Sequence, residues 1–124
     1  MAADVTKAYG QIQKSALGGR AAEAEAFAKS ARKLHQAASE PIDPAAFEDA
    51  LQSNQKLWTL LQASLQGDEG RLPEDLRQDI LKLSIFVDTQ TLKARAAPSL
   101  RAVEPLIDIN RNLAGGLFQK PEML

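Results

Sequence analysis

A chain of 124 residues is the length of one ordinary domain, enough to bury a single core but not two. Its 15 Lys and Arg against 16 Asp and Glu leave it near neutral, without the basic excess that marks nucleic-acid binding. The lack of cysteine rules out disulfides, thiol nucleophiles and thiolate metal sites, and fits a reducing compartment.

The N-terminus places Asp4 where a signal peptide needs bases, with no apolar run behind it. The densest apolar stretch, Ile80 to Val87, is interrupted by Lys82 and Ser84 and is too short to span a bilayer. The expectation is a soluble, cytoplasmic chain with no membrane insertion.

Helix periodicity runs throughout. Val5, Tyr9, Ile12 and Ala16 share one helical face, with Asp4 placed as a cap, and Gly18-Gly19 stops that segment. A second helix is predicted from Arg20 to Ser39, with Ala24, Phe27, Ala31, Leu34 and Ala38 on one face. Its acids come early and its bases late, as the helix dipole favours. So many alanines imply a closely approaching neighbour, either within the chain or in a second copy; periodicity does not separate the two, so the oligomeric state stays open.

Glu40-Pro41-Ile42-Asp43-Pro44 is the clearest boundary. Asp43 can cap, Pro44 suits the first helical position, and Ile42 and Phe47 occupy the two positions of a hydrophobic staple. The third helix carries Phe47, Leu51, Trp58, Leu61 and Leu65 on one face and ends at Gly67. Pro73 opens a fourth, with Glu74 and Asp75 in its first turn. Its main stripe is Leu76, Ile80, Leu83 and Val87, widened by Leu81, Ile85, Phe86 and Leu92, so it is expected at the centre of the bundle and to end before Pro98. The last helix carries Val103, Ile107, Asn110, Ala114 and Leu117. Pro105 must lie in its first turn or kink it, and Gly115-Gly116 is expected to close it, leaving a tail from about residue 116. The fold class is all-α, a single-domain bundle of about five helices.

Nothing in this pattern supports catalysis. The only histidine, His35, lies on the basic end of an Ala-rich helix, and the acids are scattered at helix starts rather than grouped as ligands. Gly18-Gly19-Arg20 lacks the spacing of a phosphate loop. No enzymatic activity, cofactor or metal is expected.

Four features stand out. Asn54 falls in phase with Leu51, Trp58 and Leu61, so its amide needs a partner inside the protein or on a bound chain. Trp58 is the only tryptophan, a residue more often core than hot spot yet also among the favoured interface anchors. Asn110, within Asp108-Ile109-Asn110-Arg111-Asn112, is in phase with Ile107. Arg77 follows the Leu72-Pro73 turn.

Taken together, Ala50-Leu51-x-x-Asn54-x-x-Leu57-Trp58-Thr59, Leu72-Pro73-x-x-Leu76-Arg77, Leu83-Ser84-Ile85-Phe86-Val87 and Leu106-Ile107-Asp108-Ile109-Asn110-Arg111-Asn112 with Gly116-Leu117 resemble the flagellar biosynthesis regulator FlaF family of flagellated α-proteobacteria. The resemblance extends from Tyr9 through Leu117. It implies a positive post-transcriptional regulator and flagellin-binding secretion chaperone that works opposite a repressor, FlbT. The near-neutral charge favours protein binding over direct contact with a flagellin messenger, and amphipathic helices suit a client helix held in a groove. The expected partner-binding residues are Asn54, Leu57, Trp58, Arg77, Asp108, Asn110 and Arg111. The alternative is a regulator of flagellin mRNA acting by RNA binding or through FlbT, for which Lys29, Arg32, Lys33, Lys93, Arg95 and Arg101 are the available cations.

Overall fold

A computed structural model of the chain describes residues 20–67 and 74–118. Within them lie four helices: α1 (Arg20–Ala37), α2 (Pro44–Gly67), α3 (Glu74–Ala96) and α4 (Leu100–Phe118). The class is all-α, and the expected Val5–Ala16 helix lies outside the described residues.

The helix starts follow local chemistry. Asp43 Oδ1 accepts from the Ala45 amide at 3.3 Å, and Ser99 Oγ accepts from the Ala102 amide at 3.0 Å, each satisfying a first-turn N–H. Ile42 is half-buried and Phe47 buried, as a staple requires. One expectation for α4 needs correction: its helix runs through Gly115-Gly116 to Phe118. Of the two places left open for Pro105, the structure puts it beyond the first turn. The bond that Pro105 forfeits would have served the carbonyl of Arg101, an exposed residue, where water can substitute.

Cross-helix bonds set the topology. Ser30 and Lys33 of α1 meet Asn54 and Asp49 of α2, so residue numbers rise on one helix as they fall on the other. Arg95, near the end of α3, reaches Glu48, near the start of α2. A three-residue turn then sends α4 back along α3, where Gln90 Nε2 donates to the Ala102 carbonyl at 2.8 Å. The helices therefore alternate in direction around one core, with α1 and α4 the most extensive pair. Ala24 and Ala31 on α1, Ala38 just past its end and Ala114 on α4 are buried, small enough to let those two backbones approach.

The core is built on Phe27, Leu34, Leu51, Trp58, Val87, Val103 and Leu106, all fully buried, each removal from water contributing about 1.5–3 kcal/mol for an aliphatic or Phe side chain. Phe27 meets Trp58 edge-to-face, centroids 5.6 Å apart at 76°.

The fourth predicted segment, now α3, is not central. It buries Ile80, Ser84, Val87, Thr91 and Ala94 and leaves Leu83, Ile85, Phe86 and Leu92 exposed. The stripe is narrow because Ser84 and Thr91 belong to it. Their hydroxyls bond back to the carbonyls of Ile80 and Val87 at 3.0 and 2.6 Å, so they enter the core already satisfied.

Candidate functional site

The polar residues singled out in α2 and α4 meet inside the bundle. The indole N–H of Trp58 donates to Asn110 Oδ1 at 3.0 Å, Asn110 Nδ2 donates to Asn54 Oδ1 at 2.7 Å, and Ser30 Oγ donates to the same oxygen at 2.9 Å. An indole nitrogen can only donate, so the carbonyl of Asn110 must face it and the amide of Asn110 must face Asn54. One tryptophan thus orients both asparagines. The chain of bonds ties α1, α2 and α4 together at the level of the Phe27–Trp58 contact.

Asn54, Trp58 and Asn110 are almost completely buried. Of the two places open to them, core or interface, the structure puts all three in the core, where they hold the helices in register. Asn54 Nδ2 finds no hydrogen-bond partner, a cost of about 1–3 kcal/mol offset by the two bonds its oxygen accepts. Ser30, the fourth member, was not singled out in the sequence. It falls three residues after Phe27 and four before Leu34, in phase with the buried face, and that phase was the available signal.

The other expected site residues are dispersed. Leu57 is half-buried and packs against the core from α2. Asp108 and Arg111 are exposed on α4. Arg77 is half-buried on α3, with Nη2 sequestered and without a partner. These residues do not converge on one surface with the asparagines.

Several cations also have structural roles. Lys33 Nζ lies 2.7 Å from Asp49 Oδ2 and donates to Ser53 Oγ at 2.9 Å. Arg95 Nε lies 2.8 Å from Glu48 Oε1, and its Nη2 donates to Gln55 Oε1 at 3.0 Å. Arg32 pairs with Glu25 at 2.8 Å. The Arg95 hydrogen bond holds the Glu48 carboxyl below its ordinary range, and the Lys33 hydrogen bond does the same for Asp49. Glu48 in turn raises Arg95. Among the described residues no group of three His, Asp or Glu is placed to hold a metal, and no helix is long and apolar enough to cross a membrane.

The family comparison agrees with the sequence motifs. A family model described as flagellar protein FlaF matches residues 5–117. The chain belongs to the FlaF family. No curated protein and no solved structure matches it.

The motifs that carry the FlaF resemblance contain both interior and exposed residues. Ala50, Leu51, Asn54 and Trp58 from α2, with Leu106, Ile107 and Asn110 from α4, are interior. Ile85 and Phe86 from the α3 motif, and Asp108 and Arg111 from α4, are exposed. Much of the FlaF pattern in this chain therefore encodes the packing of α2 against its neighbours. What remains on the surface is mostly the outer side of α3 and one edge of α4.

That outer side has two flanks. Leu81, Ile85, Asp88 and Leu92 continue the line that leads to Arg95, which grips α2, so this flank adjoins α2. Leu83 and Phe86 are in line with Gln90, which grips α4, so they form the other flank. A groove on the outer side of α2 is lined, among the described residues, by Gln52, Gln55, Lys56, Thr59 and Leu60.

Proposed function

We propose that this chain is a non-enzymatic regulator of flagellum biosynthesis that binds flagellin as a cytoplasmic chaperone, promoting its synthesis and secretion. Family membership supports the flagellar role. The observation that carries the binding reading is the exposure of large apolar side chains: Ile85 at 67% and Leu92 at 63% on the flank of α3 beside α2, and Leu60 at 51% on the outer side of α2. Together with the adjoining α2 groove they offer an amphipathic client helix an apolar seat with amides and hydroxyls along its rim. In this reading the client docks on Leu60, Ile85 and Leu92, which lie outside the buried network.

Electrostatics favour this reading over direct RNA binding. Of the six cations available to an RNA, Arg32, Lys33 and Arg95 are engaged with carboxylates of the same chain, and the remaining three are spread over α1, α3 and α4. Calorimetric titration with purified monomeric flagellin, full-length and lacking its terminal helices, at two salt concentrations tests it. Binding that is weakly salt-dependent and vanishes with a terminal helix is the expected result. No binding to either form would refute the chaperone role and move the search to FlbT and the flagellin messenger.

A further inference from the structure

The second flank of α3 has a different character from the flank beside α2. Asp79, Leu83, Phe86, Gln90 and Lys93 succeed one another at intervals of four, three, four and three residues, the spacing of a coiled-coil seam. Leu83 is 39% and Phe86 43% exposed, Asp79 and Lys93 are exposed, and Gln90 is half-buried at its bond to α4. The apolar pair thus sits mid-seam, with an acid at one end and a base at the other.

The order of those charges is self-complementary. Asp79 lies two helical turns before Phe86 and Lys93 two turns after it. A second α3 laid antiparallel across the seam, with the two Phe86 rings at a two-fold axis, sets each Asp79 opposite the other copy's Lys93. A parallel arrangement would instead stack Asp79 on Asp79 and Lys93 on Lys93. We infer that the Leu83–Phe86 flank of α3 is the contact for a second copy of this chain, paired antiparallel about a two-fold axis. The other α3 cation on this side, Lys82, then faces the neutral Thr89–Gln90 region of the second copy, so no like charges of the two α3 helices meet at the seam.

The size of the seam sets its strength. From Asp79 to Lys93 the helix rises about 21 Å, which places the contact at the small, transient end of protein interfaces. The dimer forms and dissociates by mass action at micromolar concentration. It leaves the Ile85–Leu92 flank free, so it does not depend on the client reading above.

Sedimentation equilibrium of the full-length chain from about 1 to 500 µM tests it, since that range brackets a micromolar dissociation constant. A reversible monomer–dimer equilibrium is expected, weakened at least tenfold by Phe86→Ser and, at low salt, by either Asp79→Lys or Lys93→Asp alone. All these positions are exposed, and far-ultraviolet circular dichroism checks that each variant keeps its helices. The decisive result is charge exchange. An equimolar mixture of the Asp79→Lys chain and the Lys93→Asp chain should associate as a heterodimer more tightly than either associates with itself, and the double variant should regain the original affinity. A chain that stays monomeric throughout the range overturns the inference. So does a dimer indifferent to Phe86→Ser, or one whose charge variants are not rescued by mixing.

Discussion

The amide of Asn110 donates to the carbonyl oxygen of Asn54 at 2.7 Å, joining α4 to α2 across the middle of the bundle. Both residues are fully buried, and neither could slide by one position without stranding the other. A bond of this kind sets register as well as contributing stability: the indole of Trp58 can only donate, which fixes the orientation of both amides, and the Ser30 hydroxyl donates to the oxygen so presented.

Trp58→Phe removes the indole N–H and strands Asn110 Oδ1 while keeping an aromatic ring against Phe27. A loss of about 1–3 kcal/mol in urea unfolding is expected. Trp58→Ala removes the ring as well, and should cost about 3–5 kcal/mol and bring the chain close to unfolding. A Trp58→Ala chain that keeps full stability but loses a partner would instead make Trp58 an interface residue.

Asn54→Ala strands two donors, the Ser30 hydroxyl and the Asn110 amide, and opens a small cavity, although it also deletes the unpartnered Nδ2. About 2–4 kcal/mol is the expected cost. Ser30→Ala leaves Asn54 Oδ1 its bond from Asn110 and should cost about 1 kcal/mol. A double-mutant cycle between the two positions should give a clear coupling energy; strict additivity would show that the bond contributes nothing.

Acid should weaken the α1–α2 and α2–α3 contacts. Glu48 and Asp49 both titrate lower in the folded chain than their ordinary values, held there by Arg95 and Lys33. The folded state therefore binds fewer protons than the unfolded one. The stability these pairs supply is present above the ordinary carboxylate range and is lost as pH falls through the depressed folded values. Unfolding curves between neutral and acid pH should show a smaller acid-induced loss for Glu48→Gln with Asp49→Asn than for the unaltered chain. An unchanged slope would mean that solvent screens these part-exposed pairs completely.

Replacing both Ile85 and Leu92 by Ser alters only exposed positions and should leave unfolding stability within about 0.5 kcal/mol, while weakening flagellin binding at least tenfold. Asp108→Ala and Arg111→Ala, exposed on α4, should be neutral for folding as well. If these alter binding and the α3 pair does not, the client surface belongs to α4.

Ser99 holds the first turn of α4 through the Ala102 amide. Ser99→Ala should cost about 1 kcal/mol, and Ser99→Asp should restore most of it. Equal loss from both would indicate that the turn, not the cap, needs serine.

Local sequence determined where the described helices begin and most of where they end. Asp43-Pro44 with the Ile42–Phe47 staple, the Ala-rich face of α1 and the stop before Pro98 each depend on chemistry within a few residues, and each is legible along the chain. Family membership was legible in the same way, through motifs at fixed spacing. Periodicity also placed Asn54, Trp58 and Asn110 on inward faces. It could not say that they face one another, because a helical period reports an angle about one helix axis and nothing about the neighbour at that angle. For α3 the same gap misled: eight apolar residues on a wide arc suggested a central helix, but among the described helices its main neighbours are α2 and α4, so the stripe between them is buried and the flanks face outward. Tertiary packing alone decided which apolar side chains became core and which stayed exposed, because burial depends on how many neighbours a helix has, and that number is a property of the assembled bundle.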